Sequence, residues 1–457
     1  MPTSTSEPVG SGPCGPGGRG EAIHAALLSW TAGEELRWQP DAKLTLDSGG
    51  RIAAIESDSR ARPPTRLAVP GLIDVHTHLP QYPMVARDGL KLLEWLERYI
   101  FPCERAFSAE RASQLAPLFF AELLRRGTTA AAVYTSIDPA SCEASFRAAE
   151  ASGMRVVMGK MMMDRRSYGD LPQREILAAS LDQSRELCAR WHGAAGGRLA
   201  YAYTPRFALS CSRELMAEVG RLARESGAYV QTHLAETPEE VEAVRADFPE
   251  ALDYTDVYER AGLLGPRSIF GHAIHLSDRE VERLGATSSA IAHCPSANLF
   301  LGAGVLPLDQ RRAAGVRIGL GTDVAAGPEL SLWEVMKAGL YAQKARAALG
   351  GGRAATAAEY FRIATLGGVE ALGIDDRVGS LEVGKEADLS LIDLDLLRLP
   401  GEEPGVWWEL DGPAVIARLI YRSHPDMVRE TRVAGRTVWR RQSGQTRLPS
   451  ARSNLVT

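Results

Sequence analysis

Residues 69–84 read VPGLIDVHTHLPQYPM, a short apolar run that leads into His-x-His and then into a proline-rich stretch. An apolar run of this length is typical of a buried strand. His76 and His78 would share one face of that strand, because successive side chains alternate between its two faces. Two imidazoles on one face can be half of a metal site or can simply pack together. The remainder of the chain has to decide between these alternatives.

Seven further strand-sized runs follow, and longer amphipathic segments such as 212–227 and 237–248 alternate with them. This alternation is typical of βα units that build a parallel sheet. Eight such units over about 250 residues predict an α/β fold with a (β/α)8 barrel of the TIM type. The predicted strands lie at 67–78, 128–135, 155–163, 199–206, 229–236, 268–275, 288–295 and 317–323.

The predicted barrel covers residues 67–375, and the two flanking segments lack its alternation of strands and helices. Residues 21–66 and 376–457 contain short strand patterns joined by glycine turns, such as KLTLDSGGRIAAIESD at 43–58. We expect the two flanks to form one small composite β-sandwich domain beside the barrel; two unrelated β appendages are the alternative. Residues 1–20 are rich in Gly, Pro and Ser, which predicts a disordered leader.

Composition narrows the range of functions. The chain has 457 residues and a formal net charge of −5, and it lacks the long basic run that binding to a nucleic acid requires. No apolar run approaches the roughly 18–20 residues that span a bilayer, and the N-terminus does not resemble a secretion signal. Six scattered cysteines without a Cys-x-x-Cys pair favour reduced thiols and a cytoplasmic location. A small-molecule ligand therefore fits better than a nucleic acid or a membrane.

Histidines and carboxylates recur at the ends of the predicted strands. His76 and His78 end strand 1, His233 lies near the end of strand 5, His272 lies in strand 6 and Asp323 ends strand 8. In TIM barrels the carboxyl ends of the strands surround the active site. These side chains should therefore converge, although each alone could be a buried histidine or a turn residue.

Three imidazoles and one carboxylate are suitable ligands for Zn²⁺, with one position left for water. A bound zinc ion generates a nucleophile from water near neutral pH, and Glu236, close to His233, could move the protons. Strand 4 ends in TPRF, without the lysine that commonly bridges two metals in such barrels, and Lys160 is the only barrel lysine near a strand end. The sequence therefore predicts one metal ion, and we favour structural or supporting roles for His275 and His293.

These ligand positions resemble those of the amidohydrolase superfamily, whose zinc deaminases use His-x-His, a histidine on strand 5, a histidine on strand 6 and an aspartate on strand 8. Further segments resemble the guanine deaminase family within it, and the resemblance runs from about residue 67 to 390. The segments are PGLIDVHTHLPQYP, LLEWLERYIFPCERAF (92–107), TPRFALSCS (204–212), QTHLAETPEEVEAV (231–244), AHCPSANLFL (292–301), IGLGTDVAAG (318–327), ATLGGVEALG (364–373) and VGSLEVGKEADL (378–389).

The resemblance implies hydrolytic deamination of guanine to xanthine and ammonia, with one Zn²⁺ per subunit. It assigns Zn²⁺ to four ligands, which are His76, His78, His233 and Asp323. It further implies that Glu236 passes a proton from the attacking water to the ring nitrogen beside the attacked carbon. Asp323 would help to deprotonate that water, and His272 would orient it and stabilise the tetrahedral intermediate.

The resemblance also implies that Gln81 and Arg206 hydrogen-bond the purine edge and that Phe207 packs against the ring. Arg206 could instead be a salt-bridged loop residue, and Phe207 could belong to the core. The family further implies a homodimer. Two alternatives stay open: a deaminase of a related ring such as 8-oxoguanine, and an inactive scaffold with the same barrel.

Overall fold

The computed structural model describes residues 21–58, 63–167 and 172–442. The leader predicted at residues 1–20 lies outside the described residues. None of the helices in the described ranges combines the length and the apolar composition that a membrane span needs.

Eight parallel strands close into a barrel, which confirms the predicted fold class. Each carries mostly buried side chains, as expected for strands covered on both faces. A two-residue strand, Met161–Met162, pairs in parallel with the barrel strand Leu199–Pro205. The barrel strands, numbered 1 to 8 in chain order, are Leu72–His78, Thr128–Tyr134, Arg155–Gly159, Leu199–Pro205, Tyr229–Leu234, Ser268–His272, Ala290–His293 and Arg317–Leu320.

A second, seven-stranded sheet combines strands from both flanks of the chain. In spatial order its strands are Arg436–Arg440, Val428–Val433, Leu389–Asp393, Arg66–Pro70, Ala22–Trp30, Leu36–Leu46 and Ile52–Ser57. The central pairing joins Leu389–Asp393 to Arg66–Pro70 in antiparallel register. The two flanks therefore meet in one sheet, while the division of the chain into domains stays a prediction.

The predicted first strand, 67–78, is in fact two strands that divide at Gly71. Arg66–Pro70 belongs to the seven-stranded sheet, and Leu72–His78 is barrel strand 1. A Cβ atom at position 71 would lie 2.0 Å from Thr129 Oγ1, so only glycine fits where the chain passes from one sheet to the other. Residues 67–70 were thus wrongly placed in the first barrel strand, because an unbroken apolar run hides the change of sheet.

Helices follow the barrel strands and pack around them. The α-helices are Leu92–Trp95, Phe101–Arg105, Ala109–Arg125, Pro139–Ser152, Gln173–Trp191, Ala194–Gly197, Arg213–Ser226, Pro238–Asp247, Tyr254–Arg260, Asp278–Ala286, Pro295–Phe300, Leu308–Ala313, Leu332–Ala348, Ala357–Arg362, Gly368–Leu372, Val406–Glu409 and Gly412–Tyr421. Short 3₁₀ segments are Leu79–Met84, Ala208–Ser210 and Leu394–Leu397, and π-helical turns are Leu96–Ile100 and Ile363–Gly367.

A buried ion cluster joins the barrel to the seven-stranded sheet. Arg155, at the start of barrel strand 3, donates from Nε to Asp388 Oδ2 at 2.7 Å and from Nη2 to Glu386 Oε2 at 2.6 Å. Asp388 also accepts from the backbone N–H of Ala434, so it holds two strands of the second sheet to the barrel. All three charged side chains are largely buried.

Replacing Arg155 with Met should destabilise the fold by about 3–5 kcal/mol, because buried Asp388 would lose its cationic partner, while Glu386 would keep its ion pair with Arg377. Urea unfolding followed by circular dichroism measures the loss. Arg147→Met, which removes an exposed arginine paired with Glu143, is the matched control and should cost less than about 1 kcal/mol. Equal stabilities of the two variants would contradict a role for the cluster in joining the sheets.

Candidate active site

The four predicted metal ligands meet at the carboxyl ends of the barrel strands. His78 Nε2 lies 3.2 Å from His76 Nε2 and 3.2 Å from His233 Nε2. Asp323 Oδ1 lies 3.3 Å from His76 Nε2 and 3.2 Å from His78 Nε2. Residues far apart in the chain thus place one side-chain atom each in a single cluster.

The spacing of these atoms fits one metal ion. In a tetrahedral site with metal–ligand bonds of roughly 2.0–2.1 Å, the ligand atoms lie about 3.3 Å from one another. Four of the six separations are 3.2 or 3.3 Å, and all six are within 4.8 Å. The cluster consists of three imidazole nitrogens and a carboxylate oxygen, which are the atoms that a borderline divalent cation prefers.

The three histidines are held in the neutral form that binds a metal. Burial lowers the pKa of His76, and it lowers the pKa of His78 to about 4. Burial, helped by the neighbouring imidazoles, holds the pKa of His233 well below its ordinary value. His233 Nδ1 lies 2.6 Å from the carbonyl oxygen of Arg206, to which it donates, so Nε2 keeps its lone pair for the cluster.

Asp323 completes the cluster as a carboxylate. Burial alone would raise the pKa of Asp323, but its contacts with His76 and His78 outweigh burial and hold that pKa well below its ordinary value. The residue lies three positions beyond Leu320, where barrel strand 8 ends, rather than at the strand end itself. Its backbone is left-handed, with φ of 48°, and its N–H donates to the carbonyl of His76 at 2.8 Å.

Glu236 and His272 lie beside the cluster and face each other. Glu236 Oε2 lies 3.4 Å from His272 Nε2, and His272 Nε2 lies 3.8 Å from Asp323 Oδ2. His272 Nδ1 is 2.9 Å from Asn298 Oδ1, the acceptor that fixes the orientation of the ring. Burial raises the pKa of Glu236 well above its ordinary value, and the charges of Asp323 and Glu240 raise it further. A carboxyl group with a raised pKa can accept and return protons near neutral pH.

A cleft opens onto the cluster, and the three predicted ring-binding residues line it. Its apolar wall comes from the segment after barrel strand 1 and from the loops after strands 7 and 8. The lining residues are His78, Gln81, Leu92, Trp95, Leu96, Arg206, Phe207, His233, Glu236, Glu240, His272, Leu301, Asp323 and Ala326.

Glu104, for which the sequence predicted no role, joins two of the cleft residues. Gln81 Nε2 donates to Glu104 Oε1 at 2.8 Å, and Arg206 Nη1 donates to Glu104 Oε2 at 2.5 Å. Arg206 is therefore both a cleft residue and a salt-bridged one, so the two interpretations of Arg206 are compatible. In LLEWLERYIFPCERAF, Glu104 is one of four acidic or basic residues after Trp95, so the sequence alone does not single it out.

His275, His293 and Lys160, which the sequence analysis also considered, do not line the cleft. His275 Nε2 donates to the carbonyl of Ala303 at 2.8 Å, and His293 Nε2 lies 3.1 Å from the hydroxyl of Tyr360. Lys160 donates to the carbonyl of Met161 and to Ser180. These contacts are consistent with structural roles.

Comparison with known proteins agrees with this geometry. The Amidohydrolase family model matches residues 67–438. The chain belongs to the amidohydrolase family. Guanine deaminase of Escherichia coli K12 is 40% identical over 330 residues, which cover 72% of this chain and 73% of that protein. Within the family, the chain therefore groups with the guanine deaminases.

Solved structures of amidohydrolase relatives share the fold. Guanine deaminase from C. acetobutylicum, crystallised with guanine in its active site, superposes with a TM-score of 0.83 at 26% identity, over 92% of this chain and 100% of that one. A zinc-bound adenosine deaminase from Xanthomonas campestris superposes with a TM-score of 0.77 at 26% identity, over 91% and 92% of the two chains. Amidohydrolases are metal-dependent, and the His/Asp cluster is a candidate metal site.

Replacing His78 with Ala should remove most of the bound metal, because His78 contacts both other histidines and Asp323 in the cluster. Mutation of a residue that hydrogen-bonds a metal ligand typically lowers metal affinity by roughly 10–100-fold. Loss of His78, which is itself a ligand, should lower the affinity further. Metal content after gel filtration, measured by mass spectrometry, should fall from about one equivalent to below about a tenth. His192→Gln, a half-buried histidine outside the cluster, is the control. Full metal content in the His78 variant would contradict the site.

Proposed function

We propose that the protein is a guanine deaminase that converts guanine and water to xanthine and ammonia. The observation that carries this proposal is the shared cleft, in which a metal-binding cluster faces a guanidinium and an amide. The cluster can activate water, and the two polar side chains can hold a ring that bears a carbonyl group. The guanine deaminase relatives support the same reaction.

His76, His78, His233 and Asp323 would hold one Zn²⁺ per subunit. A bound zinc ion supplies charge that makes water acidic and nucleophilic near neutral pH. The donor set, three imidazoles and one carboxylate, and the zinc-bound relative support zinc over a hard cation such as Mg²⁺.

Glu236 would be the proton carrier. It takes one proton from the attacking water and delivers it to the ring nitrogen beside the attacked carbon, and the water oxygen joins that carbon. The second proton of the water leaves with the amino group as ammonia, so the atoms balance. Asp323 assists the first proton transfer, and His272 hydrogen-bonds the oxygen as charge develops on it. The 3.4 Å separation of His272 Nε2 and Glu236 Oε2 supports this division of roles.

Arg206 and Gln81 would bind the edge of the purine, and Phe207 would pack against its face. A guanidinium donates hydrogen bonds only, so it selects a ring carbonyl over a ring amine at the same position. An analogue without the carbonyl would leave a buried donor unpaired, which costs more binding energy than the loss of an apolar contact.

The cytoplasmic location and the homodimeric state belong to the proposal as well. Five cysteines within the described ranges are free and buried, as expected for reduced thiols. The homodimer is supported by the family resemblance alone.

Turnover of guanine and of 8-oxoguanine, followed by the change in purine absorbance, tests the proposed function. We expect guanine to be the better substrate. Negligible turnover of guanine with rapid turnover of 8-oxoguanine would replace the proposed substrate, and failure on both rings in a metal-loaded protein would favour an inactive scaffold.

Glu236→Gln should bind metal normally and lose turnover by about 10²–10⁴-fold, because the amide cannot carry the proton. Metal content and steady-state kinetics measure both properties. The matched control is Glu239→Gln, which changes an exposed glutamate paired with Lys91 and should keep nearly full activity. Retention of more than about a tenth of the turnover in the Glu236 variant would exclude the assigned role.

A further inference from the structure

Glu104 connects two residues that reach the cleft from distant parts of the barrel. It lies on the helix Phe101–Arg105 and is 1% exposed. One carboxylate oxygen accepts from Gln81, which follows barrel strand 1, and the other accepts from Arg206, which follows barrel strand 4. Both cleft residues are also buried, at 2% exposure each.

These contacts fix the orientation of the Gln81 amide. Gln81 Oε1 accepts from the backbone N–H of Ala325 at 3.1 Å, and Nε2 donates to Glu104. A reversed amide would place its oxygen against the carboxylate and its NH₂ against the N–H of Ala325, which leaves both contacts repulsive. One N–H of Gln81 is therefore left for a ligand in the cleft.

The same carboxylate constrains Arg206. The guanidinium donates from Nη1 to Glu104, and its Cζ lies 5.0 Å from the centre of the Phe101 ring. The guanidinium is thus held between a carboxylate and an aromatic face, and its remaining donors keep a fixed direction. Because Glu104 balances the charge of Arg206, the cleft offers hydrogen-bond donors rather than an uncompensated cation, which suits a neutral carbonyl ring better than a carboxylate ligand.

We propose that Glu104 is the positioning residue that makes the cleft selective for purines with a ring carbonyl, by orienting Gln81 and Arg206 through one bridging carboxylate. The inference rests on the proposed function, since it concerns how the same cleft recognises its ring. Glu104 acts through these two side chains and takes no part in the proton transfers assigned to Glu236.

Glu104→Gln tests the proposal with the least change in shape. The amide has one acceptor oxygen for two donors, so either Gln81 or Arg206 loses its partner. We expect the ratio of kcat/KM for guanine to kcat/KM for 2-aminopurine, which lacks the carbonyl, to fall about tenfold, the size expected when one buried polar group is left unpaired. The loss should appear mainly as a higher KM for guanine, with kcat and metal content little changed.

Glu122→Gln is the matched control, because Glu122 is another buried glutamate that bridges two arginines, Arg125 and Arg126, outside the cleft. Its ratio should equal that of the unchanged protein. An unchanged ratio in the Glu104 variant would overturn the proposal, as would equal losses on both substrates, which would indicate a purely structural role. If Glu104→Gln does not fold, Glu104→Asp replaces it; the shorter side chain cannot reach both donors, and the same fall is expected.

Binding of two purines that carry no amino group separates this inference from the proposed function. Hypoxanthine has the ring carbonyl and purine lacks it, so their dissociation constants report carbonyl selection without catalysis. We expect the preference for hypoxanthine to fall about tenfold in Glu104→Gln. If the unchanged protein does not turn over guanine, the proposed function fails, yet this binding ratio still decides the role of Glu104: a fall supports it and an equal ratio overturns it.

Discussion

The side chain of Asp74 joins the first and last strands of the barrel, and the arrangement of the site depends on that junction. Backbone pairing between these two strands is limited to one residue pair, Leu320 opposite Asp74. Fully buried Asp74 extends it by accepting from Thr322 Oγ1 at 2.6 Å and from Thr322 N at 3.1 Å. The next residue, Asp323, then donates its N–H to the carbonyl of His76. Closure of the barrel and the placement of Asp323 beside His76 therefore depend on the same few residues.

Arg206 couples that cluster to the recognition of the ring. Its carbonyl oxygen accepts from the N–H of His233 at 3.1 Å and from Nδ1 of the same residue, which orients a ligand imidazole. Its side chain faces the cleft and is held by Glu104. One residue after barrel strand 4 thus sets both a metal ligand and a substrate contact, so a shift of this loop would disturb binding and chemistry together.

The sequence predicted much of the site because its ligands lie where strand counting places them. The alternation of strands and helices locates eight carboxyl ends, and His76, His78, His233 and His272 fall on them. Features that depend on partners from other elements escaped prediction. Glu104 is one charged residue among several in its segment, and only folding places it between Gln81 and Arg206. The break at Gly71 was hidden because both strands that it separates are equally apolar and buried.

Titration of the metal-free protein with Zn²⁺, with guanine turnover as the readout, tests the account most directly. The geometry of three imidazole nitrogens and one carboxylate oxygen within a single cluster predicts that activity rises linearly and reaches its plateau at one equivalent of zinc per chain. A plateau at two equivalents, or full activity in the metal-free protein, would contradict a deaminase built around one metal ion.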